Sequence, residues 1–362
     1  MHVRITQIDG RLPNLALMAI SGIHRRRGDT VHFTRDVERG LFESDYDRTY
    51  GSCIFQFSEN RLQRFMKNFP DACVGGTGVQ PTSQIAAGGA SGGAALTVES
   101  AVGEPGAPDY SIYPEFSASL GFTQRGCRMS CKFCVVQQKE GRNRSVKSIA
   151  EIWRGPGHPR KIHLLDNDFF GQPREQWRER VREIREGGFR VCLSQGVNVR
   201  LIDEEAAEAL AGIEYRDDQF RKRTLYTAWD NLQDENVFFA GIDRLNKAGI
   251  PSRHVMAYML VGFNPSETWS SIWQRFQRMT EREIRPYPMV YDRSRADLLC
   301  FQRWVITGLY RIVPWNEYRR ATKSPESLAA WSKPLNSPPE RAHVQRIEHL
   351  QWRPAQALGI TT

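Results

Sequence analysis

The sequence predicts an α/β protein of two domains, each built on a parallel sheet. The chain has 362 residues, beyond the roughly 250 to 300 at which one hydrophobic core stops growing. Strand-like apolar runs alternate with segments of helical period on both sides of a Gly- and Ala-rich stretch, and such alternation favours parallel strands with helices on the sheet faces. The stretch itself, containing "QIAAGGASGGAALTVESAVGEPG", lacks apolar periodicity and reads as a flexible connection over residues 80–106.

In the first domain, residues 1–79, "VRITQID" reads as a buried strand. "PNLALMAISGIHRRRGD" follows, with an apolar helical stripe at Leu15, Met18, Ala19 and Ile23 and Gly28 as its stop. "TVHFT", "YDRTYGSCIF" and "ACVGGTG" supply further strands, with the helical "ENRLQRFMKNF" before the last. Residues 107–305 carry six strand candidates: "SASLGFT", "KIHLLD", "RVCLSQ", "RTLYTAW", "HVMAYMLV" and "YPMVY". Between them, "SVKSIAEIW" has a capping-box pattern from Ser148 to Glu151 and "REQWRERVREIREGG" ends on glycines; "DEEAAEALAGI" and "NVFFAGIDRLNKAG" are helical too. Six such units predict a partial βα barrel of the TIM type, with its chemistry at the carboxyl ends of the strands. Residues 306–362 form a Trp-, Pro- and Arg-rich extension to which the pattern assigns no place, and "ATKSPESLAAWSKPLNSPPERA" has the composition of a partly disordered segment.

Hydrophobic residues make up 40% and charged residues 25%, an ordinary soluble balance, and no apolar run has the length of a membrane span. The first residues, "MHVRITQIDG", lack the apolar core of a secretory signal, and seven unevenly spaced cysteines do not form a disulfide framework. The expectation is a cytoplasmic protein with no membrane partner, whose thiols serve metal or redox chemistry. A formal charge of +9 allows a polyanionic partner, although interleaved acidic residues also suit a merely solvated surface.

The chemistry concentrates in "GCRMSCKFC", which places Cys127, Cys131 and Cys134 within eight positions. Thiolates bind soft metals, so zinc, an iron–sulfur cluster and plain packing are the readings. A structural zinc needs a fourth ligand, yet Cys53, Cys73, Cys192 and Cys300 are isolated, without paired histidines nearby. An iron–sulfur cube held by three cysteines leaves one iron open to a ligand from outside the protein.

The spacing Cys-x3-Cys-x2-Cys, with Phe133 just before the third cysteine and a strand leading into the loop, resembles the radical S-adenosylmethionine superfamily over about residues 118–292. The resemblance implies a 4Fe-4S cluster on the three cysteines, S-adenosylmethionine chelated at the open iron, and a one-electron donor such as flavodoxin or ferredoxin. It further implies that the reduced cluster breaks a carbon–sulfur bond of the sulfonium, and that the 5'-deoxyadenosyl radical takes a hydrogen atom from a substrate that the protein positions away from water.

Other residues follow from the same resemblance. Asp166 and Asp168 in "LLDNDFFG" stand where the family meets the cosubstrate's amino group, without the usual Gly-Gly-Glu; helix capping is the alternative. In "SQGVNVR", Arg200 suits the cosubstrate carboxylate and Asn198 or Gln195 the ribose, with turn chemistry or a surface ion pair as the plainer reading. "TAWDN" gives Trp229 to the core and Asp230 to the barrel mouth, where Asp230 and Asp168 are the catalytic candidates. Gly262 in "YMLVGFNPSET" permits close approach of backbone to adenine, or a simple turn.

The first domain resembles the Rossmann- or flavodoxin-like cobalamin-binding domain that precedes the barrel in one branch of these enzymes. Gly75 and Gly76 match its paired glycines, and Ser52, Cys53 and Ile54 its Ser-x-Leu. Its Asp-x-His-x-x-Gly aligns with "DGRLPN", which puts Arg11 in the histidine place and Asn14 in the glycine place. No lower cobalt ligand is therefore expected, and a vestigial or substrate-holding sheet is favoured over cobalamin. The strings "DGRLPNLALM", "PDYSIYP", "QGVNVR" and "LCFQRW" also resemble two-domain radical proteins of phages and bacteria, which gives a class and no substrate. A nucleic acid or nucleotide suits the basic "GRNRSVK" and "RDDQFRKR", expected to border the mouth, whereas a metabolite or peptide suits a closed barrel. A cobalamin-dependent methyltransferase and a non-catalytic, metal-stabilised binding module are the alternatives.

Overall fold

A computed structural model describes residues 1–79 and 107–321, which fall into two compact units, Met1–Ala118 and the chain from Ser119 onward. The expected linker, 80–106, and residues 322–362 lie outside the described residues. Both units are α/β with parallel sheets.

The first unit runs β1 (His2–Gln7), α1 (Leu15–Arg26), β2 (Thr30–Thr34), β3 (Arg48–Ser52), α2 (Glu59–Asn68) and β4 (Cys73–Gly75). The strands are parallel in the order β2-β1-β3-β4, so the connections leave β1 in opposite directions and open a crevice at its carboxyl end. Asn14 starts α1 by accepting from the Leu17 amide, and His24, Arg25 and Arg26 face the carbonyl end of its dipole. The helix is buried nearly all round, wider than the stripe its sequence predicts. Residues 107–113 cover its second side: the Asp109 amide donates to Met18 O at 3.0 Å, and the Asp109 carboxylate takes the Ser21 hydroxyl at 2.6 Å and pairs with Arg25. Gly22 permits that approach, since a Cβ there would lie 2.4 Å from Ala107 O. Residues 107–118 thus pack with the first unit, Met1–Ala118.

The second unit contains β5 (Ser119–Gly121), β6 (Gln124–Arg125), α3 (Val136–Glu140), β7 (Arg144–Ser145), α4 (Ile149–Ile152) and β8 (Lys161–Leu164). It continues with α5 (Arg174–Glu186), β9 (Arg190–Leu193), α6 (Glu204–Ala211), β10 (Glu214–Tyr215), β11 (Leu225–Ala228) and α7 (Glu235–Lys247). It ends with β12 (Val255–Val261), α8 (Trp269–Glu281), β13 (Arg285–Val290), α9 (Ala296–Ile306) and α10 (Trp315–Ala321). Two parallel sheets form, β10-β9-β8-β5 and β11-β12-β13, while β6 and β7 pair antiparallel. The Val197 amide donates to Tyr226 O at 2.7 Å and the Tyr258 hydroxyl to Ser194 O at 2.8 Å, which ties the end of β9 to β11 and β12. Alternation along each strand sorts the side chains. Ile162, Leu164, Val191, Leu193, Ala257 and Met259 join the helices in the apolar core. On the opposite face His163 lies beside Cys192, and Tyr258 meets both Tyr226 and Tyr287.

Two elements differ from expectation. Helix α8 begins on a Thr268–Ser271 capping box, in a segment whose helical pattern the sequence reading passed over. Residues 306–321, to which the pattern assigned no place, pack on the unit's core: Tyr310 and Trp315 meet Trp304, Trp269, Phe276 and Phe301, and the Trp304 indole donates to Val313 O. No helix of the described residues is long and apolar enough to cross a membrane.

Candidate functional site

The cysteine loop leaves the carboxyl end of β5 and is held by carboxylates at the ends of β8 and α3. Asp166 accepts from the Thr123 amide at 2.7 Å, the Gln124 amide at 3.1 Å and the Thr123 hydroxyl. Burial pushes its carboxyl up to about 7 against the pull of those donors. Both oxygens, expected at the cosubstrate amino group, are thus engaged in fixing the entry to the loop. Asp168 is buried and takes Arg128 with two prongs, at 2.7 and 2.9 Å, together with the Arg128 amide at 3.3 Å. Asn143 donates to the same carboxylate, and the Asp168 amide donates to Gln124 Oε1. On the other side Glu140 accepts from Arg125 Nε, the Gly126 amide and Asn167 Nδ2. Gly126, with φ +78°, must be glycine: a Cβ would stand 2.3 Å from Arg142 O.

Within this frame Cys127, Cys131 and Cys134 are free and half-buried. The Cys134 amide donates to Cys131 O at 3.0 Å and the Met129 amide to Cys127 Sγ at 3.4 Å. Burial raises the Cys127 and Cys131 thiols; Cys127 also feels Cys131 and Cys134, and Cys131 feels Cys134. At Cys131 the Arg200 guanidinium opposes that rise through a hydrogen bond and its charge, while Asp230 reinforces it. Arg200, after β9, therefore meets the cysteine loop, and the charge of Asp230, after β11, is felt there.

Arg200 also pairs with Asp234 at 2.7 Å and donates to Asn198 Oδ1 at 3.3 Å. Asp230 accepts from the Leu260 amide at 2.9 Å, and burial raises its carboxyl. Phe133 meets Phe263 edge-on, ring centroids 5.5 Å apart, and Phe263 meets Tyr291 at 4.9 Å. The cysteine loop is thereby joined to the segments that follow β8, β9, β11, β12 and β13.

Gly262 adopts φ +79°, and its amide donates to Glu267 at 2.7 Å. Trp229 is core, stacked on Phe238 at 5.1 Å. Gln195 is exposed, and no contact among the described residues ties it to the loop.

Sequence reasoning missed the buttresses. Besides Arg128, Glu140 and Asn143, the buried Arg275 donates to the carbonyls of Trp229, Asp230 and Leu260 at 3.0 to 3.1 Å and pairs with Glu267. The signal lay in α8, where Arg275 interrupts an apolar stripe of Ile272, Phe276 and Met279. One expectation is corrected. "RDDQFRKR" follows the short β10, which pairs with the beginning of β9, and leads into the beginning of β11. It lies at the amino ends of the strands, opposite the mouth.

Three thiols on one loop suit a soft-metal cluster. Among the described residues no group of three His, Cys, Asp or Glu side chains converges to hold a single metal ion, whereas a cube offers each thiolate its own iron. The first unit's crevice does not suit a cobalt-ligating corrinoid. Arg11, in the histidine place, is exposed, and Asn14 caps α1 and donates to Ser52 at 2.8 Å. The Tyr113 hydroxyl donates to Gln7 at 2.9 Å and accepts from the Asn14 amide, with its ring 4.8 Å from Phe33. Cys53 is a buried thiol pushed up to about 12 and lies against Asp9. No family model matches this chain, and no curated protein matches it.

Proposed function

We propose that the chain is a radical S-adenosylmethionine enzyme whose second unit works as a partial βα barrel. One observation carries the reading: the loop with Cys127, Cys131 and Cys134 is fixed at the carboxyl ends of parallel strands and meets Arg200 and the Phe133–Phe263–Tyr291 chain there, within the field of Asp230. The 4Fe-4S cluster, when bound, supplies the electron that cleaves S-adenosylmethionine to a hydrogen-abstracting 5'-deoxyadenosyl radical.

The protein's part is binding, orientation and exclusion of water. Cys127, Cys131 and Cys134 hold the cluster. Arg200 offers its guanidinium to the cosubstrate carboxylate, with Asn198 and Asp234 orienting it. The left-handed Gly262 lets backbone approach the adenine. Asp230 keeps its proton more readily than an ordinary carboxylate, which suits a hydrogen-bond donor facing the reacting substrate. Asp168, expected to be catalytic, is assigned a positioning role, because Arg128 takes both its oxygens.

Anaerobic reconstitution followed by metal and sulfide analysis tests the reading. About four iron and four sulfide per chain, lost in Cys131→Ala, are expected. Zinc without sulfide would return the chain to a metal-stabilised binding module.

A further inference from the structure

Cations on two parts of the second unit behave differently. On α5, Arg174, Arg178, Arg180 and Arg182 each have a carboxylate within ion-pair distance, as expected of a solvated face. On the cysteine loop and the strand that returns from it, Lys132, Arg142, Arg144 and Lys147 are exposed, and among the described residues none has a carboxylate at that distance. Arg144 reaches only backbone carbonyls, those of Glu140 and Arg142. The one carboxylate of the loop, Glu140, is occupied by Arg125. Four exposed cations thus lie on the loop and its return, Lys147 within the field of Glu151.

A second observation is independent of charge. Rings lead from the loop toward the end of β13: Phe133 to Phe263 to Tyr291, which is 53% exposed, beside Met289, 43% exposed. Deeper on the same face of β13, Tyr287 meets Tyr258 edge-on at 5.6 Å. β13 stands at the end of its sheet, and its outer edge, where Pro286 and Pro288 remove two donors, is covered by α9, from which Gln302 Nε2 donates to Pro288 O at 2.8 Å; the opposite side-chain face keeps Met289 and Tyr291 exposed. Phosphate-binding cations beside solvent-accessible rings form the combination that grips unpaired nucleotides, backbone on the charges and bases on the rings.

We propose that the substrate is a single-stranded nucleic acid, its phosphates on Lys132, Arg142, Arg144 and Lys147 and a base stacked at Tyr291 with its edge toward Tyr287. The proposal deepens the radical reading by naming the substrate class. A duplex keeps its bases stacked internally and cannot use the ring face.

The test is fluorescence anisotropy of the reconstituted full-length protein with labelled 20-nucleotide single-stranded DNA and RNA of mixed sequence, and with the duplex. Three to four phosphate contacts predict that single-strand affinity falls about 20- to 50-fold between 50 and 200 mM salt. Tyr291→Ala should weaken it about tenfold, with Tyr291→Phe close to wild type. Lys132→Glu combined with Arg142→Glu should abolish binding, whereas Arg178→Gln combined with Arg182→Gln should leave it intact. Absent or salt-insensitive binding, equal preference for duplex, or sensitivity to the α5 pair would overturn the proposal. Measuring 5'-deoxyadenosine release on the same preparation separates the two readings: release without oligonucleotide binding sinks the substrate, and oligonucleotide binding without release sinks the radical chemistry.

Discussion

Asp166 shows how one side chain carries both geometry and a pH signature. Its carboxyl is raised to about 7 by burial, so the folded chain holds that proton more tightly than the unfolded chain. The associated stability is complete below the ordinary value of 3.8 and is lost as pH rises through about 7. Asp166→Asn cannot ionise and keeps an acceptor for Thr123. Its melting temperature relative to wild type is therefore expected to climb between about pH 4 and pH 7 and level off above; a pH-independent difference would contradict the assignment. Asp168→Ala strands Arg128, which can still turn to water, so a loss of about 1–3 kcal/mol is expected in denaturant titration, with poorer iron retention. The three cysteines were legible because their spacing is local. The work of Asp166 was not, because its partners Thr123 and Gln124 lie more than forty positions earlier in the chain.

At the scale of elements, the cysteine loop depends on a turn that tolerates no side chain at Gly126. Gly126 and Gly188 both have positive φ, but only at Gly126 does a Cβ meet backbone; at Gly188 it meets open space. Gly188→Ala is expected to cost about 1 kcal/mol, and Gly126→Ala clearly more, with loss of iron incorporation that Gly188→Ala does not share. Equal iron contents would refute the turn's role. Helix α8 offers a second test. Arg275→Met leaves Glu267 buried without its partner and should cost about 3–5 kcal/mol, while the double variant with Glu267→Met recovers part of the loss. Strands of β-branched and aromatic residues, and caps such as Ser148–Glu151, could be read from local sequence. Helix α8 could also be read, its stripe of Trp269, Ile272, Trp273, Phe276 and Met279 and its cap being local; what its sequence does not show is the purpose of Arg275, which appears only when the ends of β11 and β12 are beside it. The two-residue β10 is too short for any period to register.

For the whole molecule, an alternation of strands and helices was enough to predict two α/β units with parallel sheets, but not their limits. Residues 107–118 contain no strand, and only the Asp109 and Tyr113 contacts assign them to the first unit. Residues 306–321 could not be placed from sequence because tryptophans without period give no sign of a core. Trp315→Ala is accordingly expected to destabilise the second unit by about 3–5 kcal/mol in denaturant unfolding, where a residue outside the core would change little. The chemistry assigned to the molecule rests on a single event at the cysteine loop. After anaerobic reconstitution, dithionite and S-adenosylmethionine are added with and without the single-stranded oligonucleotide, and 5'-deoxyadenosine is quantified beside a Cys131→Ala control. The account predicts release in the wild type alone, increased by the oligonucleotide. No release from protein with an intact, reducible cluster, with the oligonucleotide present, would contradict it.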